Sequence, residues 1–411
     1  MRAPPDTANG AVSPGARSAL AEPLFRRYFL AMCLSNMGTW ISRFLLGWTA
    51  WDLTHAATWV GITSTLLLLP TFILSPLFGV VSDRVSPRNG MLATLASQGA
   101  LVALTALTLA GGWFSLGWLL FLALGMGSVT AAHQPLRLAL IPRLVERDAL
   151  PSAIGISAIT FNLSRILGPA AAGWLLLHAS PATAFACAAA LFAGALSALL
   201  RVHSIGIAGD AGQGSVLAQL AEGLRFARDH PTIRLILAVT LVNGLLGRTV
   251  IELLPALSGK LLDGAATTLA LLTACAGAGS VLGGFLLTRH RSDEAALLHM
   301  MLYSLLGATL VLLPLHWANG LWAIAGIALL LSMATTMAGA GSQALAQLTV
   351  SDQYRGRVLS IWTVFTMGAP AIGSLVMGAL ADLFGFVAVV TGFATLALLC
   401  VGSLWRQRRE L

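Results

Sequence analysis

Charge is scarce in this chain. Only 10% of its 411 residues are Asp, Glu, Lys or Arg, against about 25% in a soluble globular protein. It therefore lacks the polar groups that would coat a water-facing surface. Lysine is nearly missing, with Lys260 the only one. The Gly-rich loop ending in Lys-Ser/Thr that serves nucleotide-driven pumps is therefore absent as well. The four cysteines, Cys33, Cys187, Cys275 and Cys400, stand singly in apolar runs, without disulfide or metal spacing, and read as small core residues. There is no Ser-His-Asp order, His-Glu zinc pattern or cluster of metal ligands. The sequence thus implies no enzyme, no cofactor and no metal.

What the chain has in abundance is apolar: 57% of residues, with a mean hydropathy of +0.83. This excludes disorder and a soluble multi-domain enzyme, leaving an all-α membrane protein. A spanning helix needs roughly 20 mostly apolar residues. Cutting the hydrophobic runs at charge, Pro and Gly gives twelve spans, with cores 28–51, 59–81, 90–110, 113–133, 152–177, 182–200, 233–257, 266–288, 295–315, 318–340, 358–380 and 386–405. Residues 1–25 are rich in Pro, Ala and Gly, lack the apolar core of a signal peptide, and read as a disordered tail.

The arginines orient these spans. Of 24 Lys and Arg, Arg43, Arg165 and Arg248 lie within spans and Lys260 lies on one side. The other twenty fall on the opposite side, which also holds both chain ends. By the positive-inside rule that side is cytoplasmic. The high pI is then a topology signal and implies no nucleic-acid partner. The longest internal loop lies midway, so the organisation reads as a tail (1–25), six spans (26–201), a cytoplasmic linker (202–232), six more spans (233–405) and a short tail (406–411). The linker begins with a flexible stretch. Leu217, Leu220, Leu224 and Ala227 then share one helical face, which fits either a surface amphipathic helix or a plain connection.

Four ionisable residues are expected deep in the membrane: Arg43, Arg165, Arg248 and Glu252. Each costs about 2.5–3.5 kcal/mol at the bilayer centre, so they must face one another, a hydrated cavity or a ligand. Arg43 and Arg248 lie at matching depth, each roughly 22 Å along its helix. Asn36 shares a face with Arg43, and Thr240, Gly244, Arg248 and Glu252 recur every four residues. Arg248 and Glu252 can pair at i,i+4 as a structural pair. Alternatively Glu252 is a protonatable switch that frees an arginine for an anionic group of the cargo. Asn36, Arg43, Arg165, Asn243 and Arg248 are the candidate substrate-binding residues, and Glu252 and Asp52 the candidate proton-coupling residues. Asp52, at the periplasmic end of the first span, either only marks the interface or is a proton entry point, and Arg165 either anchors the junction between halves or meets the substrate. Eight tryptophans, among them Trp40, Trp51, Trp113, Trp317 and Trp322, read as an aromatic belt near the outer interface. Polar residues of the tenth span, Ser332, Thr335, Thr336 and Ser342, line a water path or bond neighbouring helices.

Several stretches together resemble the major facilitator superfamily. Gly79-Val-Val-Ser-Asp83-Arg84-Val-Ser-Pro-Arg88 resembles its signature between the second and third spans, with Ser86 and Pro87 where members carry Gly and a basic residue. The loop after the eighth span echoes it in Gly284, Thr288 and Arg289. The stretches NMGTWISRFLLGWTAWDLT, IPRLVERDAL, YRGRVLSIW and GALADLFG narrow the resemblance to the bacterial exporter branch that includes enterobactin-exporter-like proteins. Gly168, Pro169 and Gly173 partly resemble the drug-exporter antiporter motif, with Ala172 in place of its further glycine. The resemblance implies two pseudo-symmetric six-helix bundles and a gating role for Gly79, Asp83, Arg84 and Arg88. It further implies a monomer of the bacterial inner membrane that exports a small organic compound, siderophore or drug-like, by proton antiport. An importer of an anionic nutrient shares the architecture, and a membrane enzyme or sensor would need a nucleophile or soluble domain that the chain lacks.

Overall fold

The computed structural model describes residues 18–203, 225, 228, 230–289, 294–350 and 352–408. Within the described residues there are twelve helices long and apolar enough to cross a membrane. They are α1 (Pro23–Thr54), α2 (Ala57–Arg84), α3 (Pro87–Ala110), α4 (Leu116–Leu140), α5 (Leu150–His178), α6 (Pro181–Leu200), α7 (Pro231–Glu252), α8 (Ala266–Arg289), α9 (Glu294–Leu312), α10 (Leu321–Thr349), α11 (Asp352–Phe384) and α12 (Phe386–Arg408). A short helix, Leu254–Leu261, follows α7. In hydrocarbon every backbone N–H and C=O must be bonded within the segment, so runs of Leu, Ala, Val and Ile take the helix there. Proline opens α1, α3, α6 and α7, where its missing N–H costs nothing. Ser115 and Ser180 cap α4 and α6 by accepting the Trp118 and Thr183 amides.

All twelve expected spans are present, and several run further toward the arginine-rich end. Helix α4 continues past residue 133 to Leu140, and α10 past 340 to Thr349. Hydropathy falls where Gln and Arg enter, but those residues still favour helix, so the helix outlasts the apolar window. Residues 18–25, expected within a disordered tail, are structured. A turn over Ala19–Ala21 precedes α1, and the buried Ala19 amide donates to Ser152 Oγ at 3.1 Å. The expected amphipathic segment of the linker lies outside the described residues, apart from the helical and exposed Arg225 and Arg228.

Helices α1–α6 and α7–α12 form two bundles that meet through α2 against α11 and α5 against α8. The buried apolar residues divide unevenly between the two ends. One continuous core joins the first bundle to the arginine-poor end of the second, including Leu253, Leu257, Leu269, Ala328 and Met377. The arginine-rich end of the second bundle has its own core, around Ile236, Met301, Leu345, Ile361 and Leu404. The halves are therefore fused at the arginine-poor end, and at the other end each keeps a separate core. At the fused end Trp51 of α1 inserts against the second half, where a Cβ on Gly259 would fall only 1.7 Å from the indole.

That insertion makes Gly259 intolerant of bulk. Gly259→Val should destabilise the protein by about 1–3 kcal/mol through overpacking. The check is the midpoint of unfolding in a detergent titration, compared with Gly307→Val, whose position opens on free space.

Candidate functional site

The intramembrane charges come together where the halves meet. Arg43 of α1 donates through one Nη to both carboxylate oxygens of Glu252 on α7, at 2.8 and 2.6 Å. The side chains remain 30% and 14% accessible, so the pair faces a cleft rather than a dry core. Arg165 of α5 and Arg248 of α7, both half-buried, lie within Coulombic range of this pair. Among the described residues neither forms a salt bridge, which leaves two guanidiniums without a partner carboxylate.

Helix α7 explains why Glu252 pairs across the halves and not with Arg248, as its i,i+4 spacing suggested. Residues Gly244–Arg248 form a turn of π-helix, and the Thr249 hydroxyl donates back to the Gly244 carbonyl at 2.9 Å. A π turn accommodates an extra residue, so the stripe of every fourth residue no longer keeps to one face. Beyond Glu252 the helix breaks at Leu253 (φ −91°, ψ 12°). The freed Glu252 carbonyl accepts a hydrogen bond from Ser64 of α2 at 3.3 Å. The kink aims the carboxylate at α1.

Trp40, expected in the outer belt, belongs to this site instead. The Arg43 and Arg165 guanidinium carbons lie 5.7 and 5.6 Å from its ring, a separation that contributes about 0.5–2 kcal/mol each. Phe161 of α5 meets the indole edge-on at 5.6 Å. A Cβ at Gly168 would lie 2.5 Å from the Trp40 Cβ, so this glycine lets α1 approach α5 and seats the indole. Only the helical spacing of Trp40 from Asn36 and Arg43 hinted at this role. Trp113, Trp317 and Trp322 are more than 70% exposed, as a belt requires.

The remaining candidates fall elsewhere. Asn36 lies one turn before Trp40 with its Nδ2 buried and unbonded. Asn243 is buried and donates to the Thr335 carbonyl at 3.1 Å, tying α7 to α10 within the second half. Asp52 is exposed near the arginine-poor end of α1. Of the loop signature, the side chains of Gly79, Asp83 and Arg84 lie outside the described residues. Arg88 donates to the Val202 and Leu200 carbonyls, capping the end of α6 inside its own half. Residues of the tenth span bond neighbouring helices: Ser332 with Ser280 at 2.6 Å, and Ser342 with Thr240 at 3.2 Å and Trp362 at 3.0 Å.

One further acidic residue closes a span inside the GALADLFG stretch, where nothing in the local pattern marks it. Asp382 of α11 accepts from the Ala57 and Thr58 amides at 3.0 and 2.8 Å and from the Thr58 hydroxyl at 2.7 Å. It also pairs with Lys260 at 3.1 Å, and Lys260 lies over the Trp51 ring at 5.8 Å. The carboxylate satisfies orphan donors at the start of α2. It thereby clasps the two halves at the arginine-poor end.

Comparison with known proteins places this geometry in context. The family model described as transmembrane secretion effector, a branch of the major facilitator transporters, matches residues 14–409. The chain is 26% identical over 393 residues to the staphyloferrin A transporter of Staphylococcus aureus, covering 93% of this chain and 96% of that one. It is 26% identical over 415 residues to the enterobactin exporter of Salmonella typhi, covering 94% of each. Among solved structures, the inward-facing, unoccupied bacterial homologue of the lysosomal transporter Spinster shares the fold, with a TM-score of 0.71 at 16% identity, over 94% of this chain and 98% of that one.

Removing the Asp382 carboxylate takes away hydrogen bonds to a charged group, worth about 1.5–3 kcal/mol. In a background free of native cysteines, Asp382→Ala should therefore speed the labelling of Ser374→Cys, buried between α2 and α11, by roughly tenfold or more with a membrane-impermeant maleimide. An unchanged rate would show that the clasp does not hold this end closed.

Proposed function

The chain belongs to the transmembrane secretion effector family of major facilitator transporters, and on that premise we propose that it exports a small, oxygen-rich organic compound by alternating access with proton antiport. It is a multi-pass inner-membrane transporter of a small molecule, not an enzyme. We place the arginine-rich loops and both chain ends in the cytoplasm. In that orientation the end fused by the shared core and the Asp382 clasp faces outward, and cargo enters from the cell interior. We take the working unit to be the monomer.

The observation that carries this reading is the charge balance at mid-membrane: three guanidiniums, one carboxylate, and that carboxylate held across the halves by Arg43. The surplus of positive charge suits carboxylate, catecholate or hydroxamate oxygens, received by Arg165 and Arg248 with Asn36 beside them. Antiport further requires cargo and proton to exclude one another. A cargo whose hydroxyl or ammonium groups donate to Glu252 does this, because cargo and proton then compete for the same two oxygens. The relatives named as a staphyloferrin A transporter and an enterobactin exporter support a siderophore-like cargo, and the name of the second supports an outward direction.

The hold of Arg43 on both Glu252 oxygens also favours a second reading. A purely anionic cargo that takes Arg43 leaves Glu252 unpaired, and the carboxylate then gains a proton. Cargo and proton would bind together, as in import of an anionic nutrient. The sign of the pH dependence separates the two. Export by antiport predicts cargo binding that tightens as pH rises through the Glu252 titration, and symport predicts binding that tightens as pH falls.

Glu252→Gln should reduce proton-driven accumulation in inverted vesicles by about tenfold or more, while cargo exchange without a gradient persists. Full proton-coupled transport by this variant would remove Glu252 from the coupling role.

A further inference from the structure

The site described above accounts for Arg43, Arg165, Arg248 and Glu252, yet the aromatic contacts do not stop there. Phe161, edge-on to Trp40, has a further guanidinium over it: the Cζ of Arg137 lies 5.9 Å from its ring. A pair of rings, Phe161 and Trp40, is therefore flanked by Arg137 at one end and by Arg165 and Arg43 at the other, each contact under 6 Å. All five residues belong to the first half. The array also runs in depth. Arg137 sits in the last turn of α4 at the arginine-rich end, Phe161 roughly 16 Å along α5 counted from Leu150, and Trp40 roughly 26 Å along α1 counted from Pro23.

The polar groups beside this array are incompletely bonded. Arg137 donates to Gln134 on its own helix at 3.0 Å, but its Nε is buried without a partner, as are Trp40 Nε1 and Asn36 Nδ2. All three are donors, and buried donors left unpaired are costly. Among the described residues no carboxylate forms a salt bridge with Arg137. A row of flat rings flanked by cations and spare donors complements a ligand that is itself flat, conjugated and acidic. Its ring meets Phe161 and Trp40, and its oxygens take the guanidinium and N–H groups.

We propose that the first half carries a second subsite, built by Arg137, Phe161 and Trp40, that receives a planar aromatic acid between the arginine-rich end and the central charges. The inference rests on the reading of those charges as the cargo site, and narrows the cargo to compounds bearing an aryl acid. Phe161 selects the aromatic ring and Arg137 receives its acid group, whereas Arg248 answers only to negative charge.

The test is equilibrium binding of radiolabelled salicylate and of cyclohexanecarboxylate, its saturated counterpart of equal charge, to the full chain in lipid nanodiscs. Salicylate should bind about tenfold more tightly. Phe161→Leu should weaken salicylate by about threefold to thirtyfold and leave cyclohexanecarboxylate nearly unaffected, with Phe161→Tyr restoring salicylate binding, and Arg137→Gln should weaken salicylate to a similar degree. Arg248→Gln should weaken both acids. Equal affinity for the two acids in the parent protein overturns the aromatic subsite. Salicylate binding that ignores Arg137→Gln and Phe161→Leu but is lost in Arg248→Gln overturns the subsite and leaves the central reading intact. Binding of both acids that survives Arg43→Gln and Arg248→Gln overturns the central reading and, with it, the subsite that rests on it. Size-exclusion profiles and melting of each variant separate lost binding from lost folding.

Discussion

The ion pair between Arg43 and Glu252 is the interaction on which the architecture turns. An isolated charge at the centre of a bilayer costs about 2.5–3.5 kcal/mol even on lenient scales, and this chain places four of them there. The carboxylate is met by a guanidinium from the opposite half, so neutralisation and the docking of the bundles are one event. The π turn and the break after Glu252 set the carboxylate in position. Two guanidiniums stay uncompensated, and their proximity keeps the cleft electropositive.

The same pair lies between two unlike ends. Toward the arginine-poor side the bundles share one apolar core, Trp51 wedges against Gly259, and Asp382 binds the start of α2 together with Lys260. Toward the arginine-rich side each half keeps its own core. The polar clasp is made of hydrogen bonds that water can replace. A wholly apolar seal of the same area would offer the bundles no such exchange.

Between helices the packing relies on small residues and on hydroxyl groups, because lipid gives apolar surfaces no reason to associate. Gly168 admits the Trp40 indole, and through it two guanidiniums gain an aromatic face. In the second half Ser280, Ser332, Asn243 and Ser342 bind α7, α8 and α10 to one another. The aromatic and cationic groups thus concentrate in the first half, and the carboxylate and the helix distortion in the second. The pseudo-symmetric bundles contribute different chemistry to one site.

The number of spans, the division of arginine between the two sides and the presence of four charges in the membrane were legible from the sequence alone. Each follows from local hydropathy or from counting, and none needs a partner to be known. The partner of Glu252 was not legible. An i,i+4 rule pointed to Arg248, but it presumes a regular helix, and the register is broken by a π turn that begins at Gly244, where α7 packs closely on Ala369 and Pro370 of α11. Trp40 and Asp382 escape a sequence reading for a related reason: each sits where composition predicts an interface residue, and partners that define its role, Arg165 for Trp40 and Ala57 for Asp382, lie more than a hundred residues away in sequence. Sequence thus determined that charge must be buried and roughly at what depth. Only the tertiary structure decided which charges meet, because long-range pairing depends on the rotation and kinking of each helix, which a one-dimensional pattern does not carry.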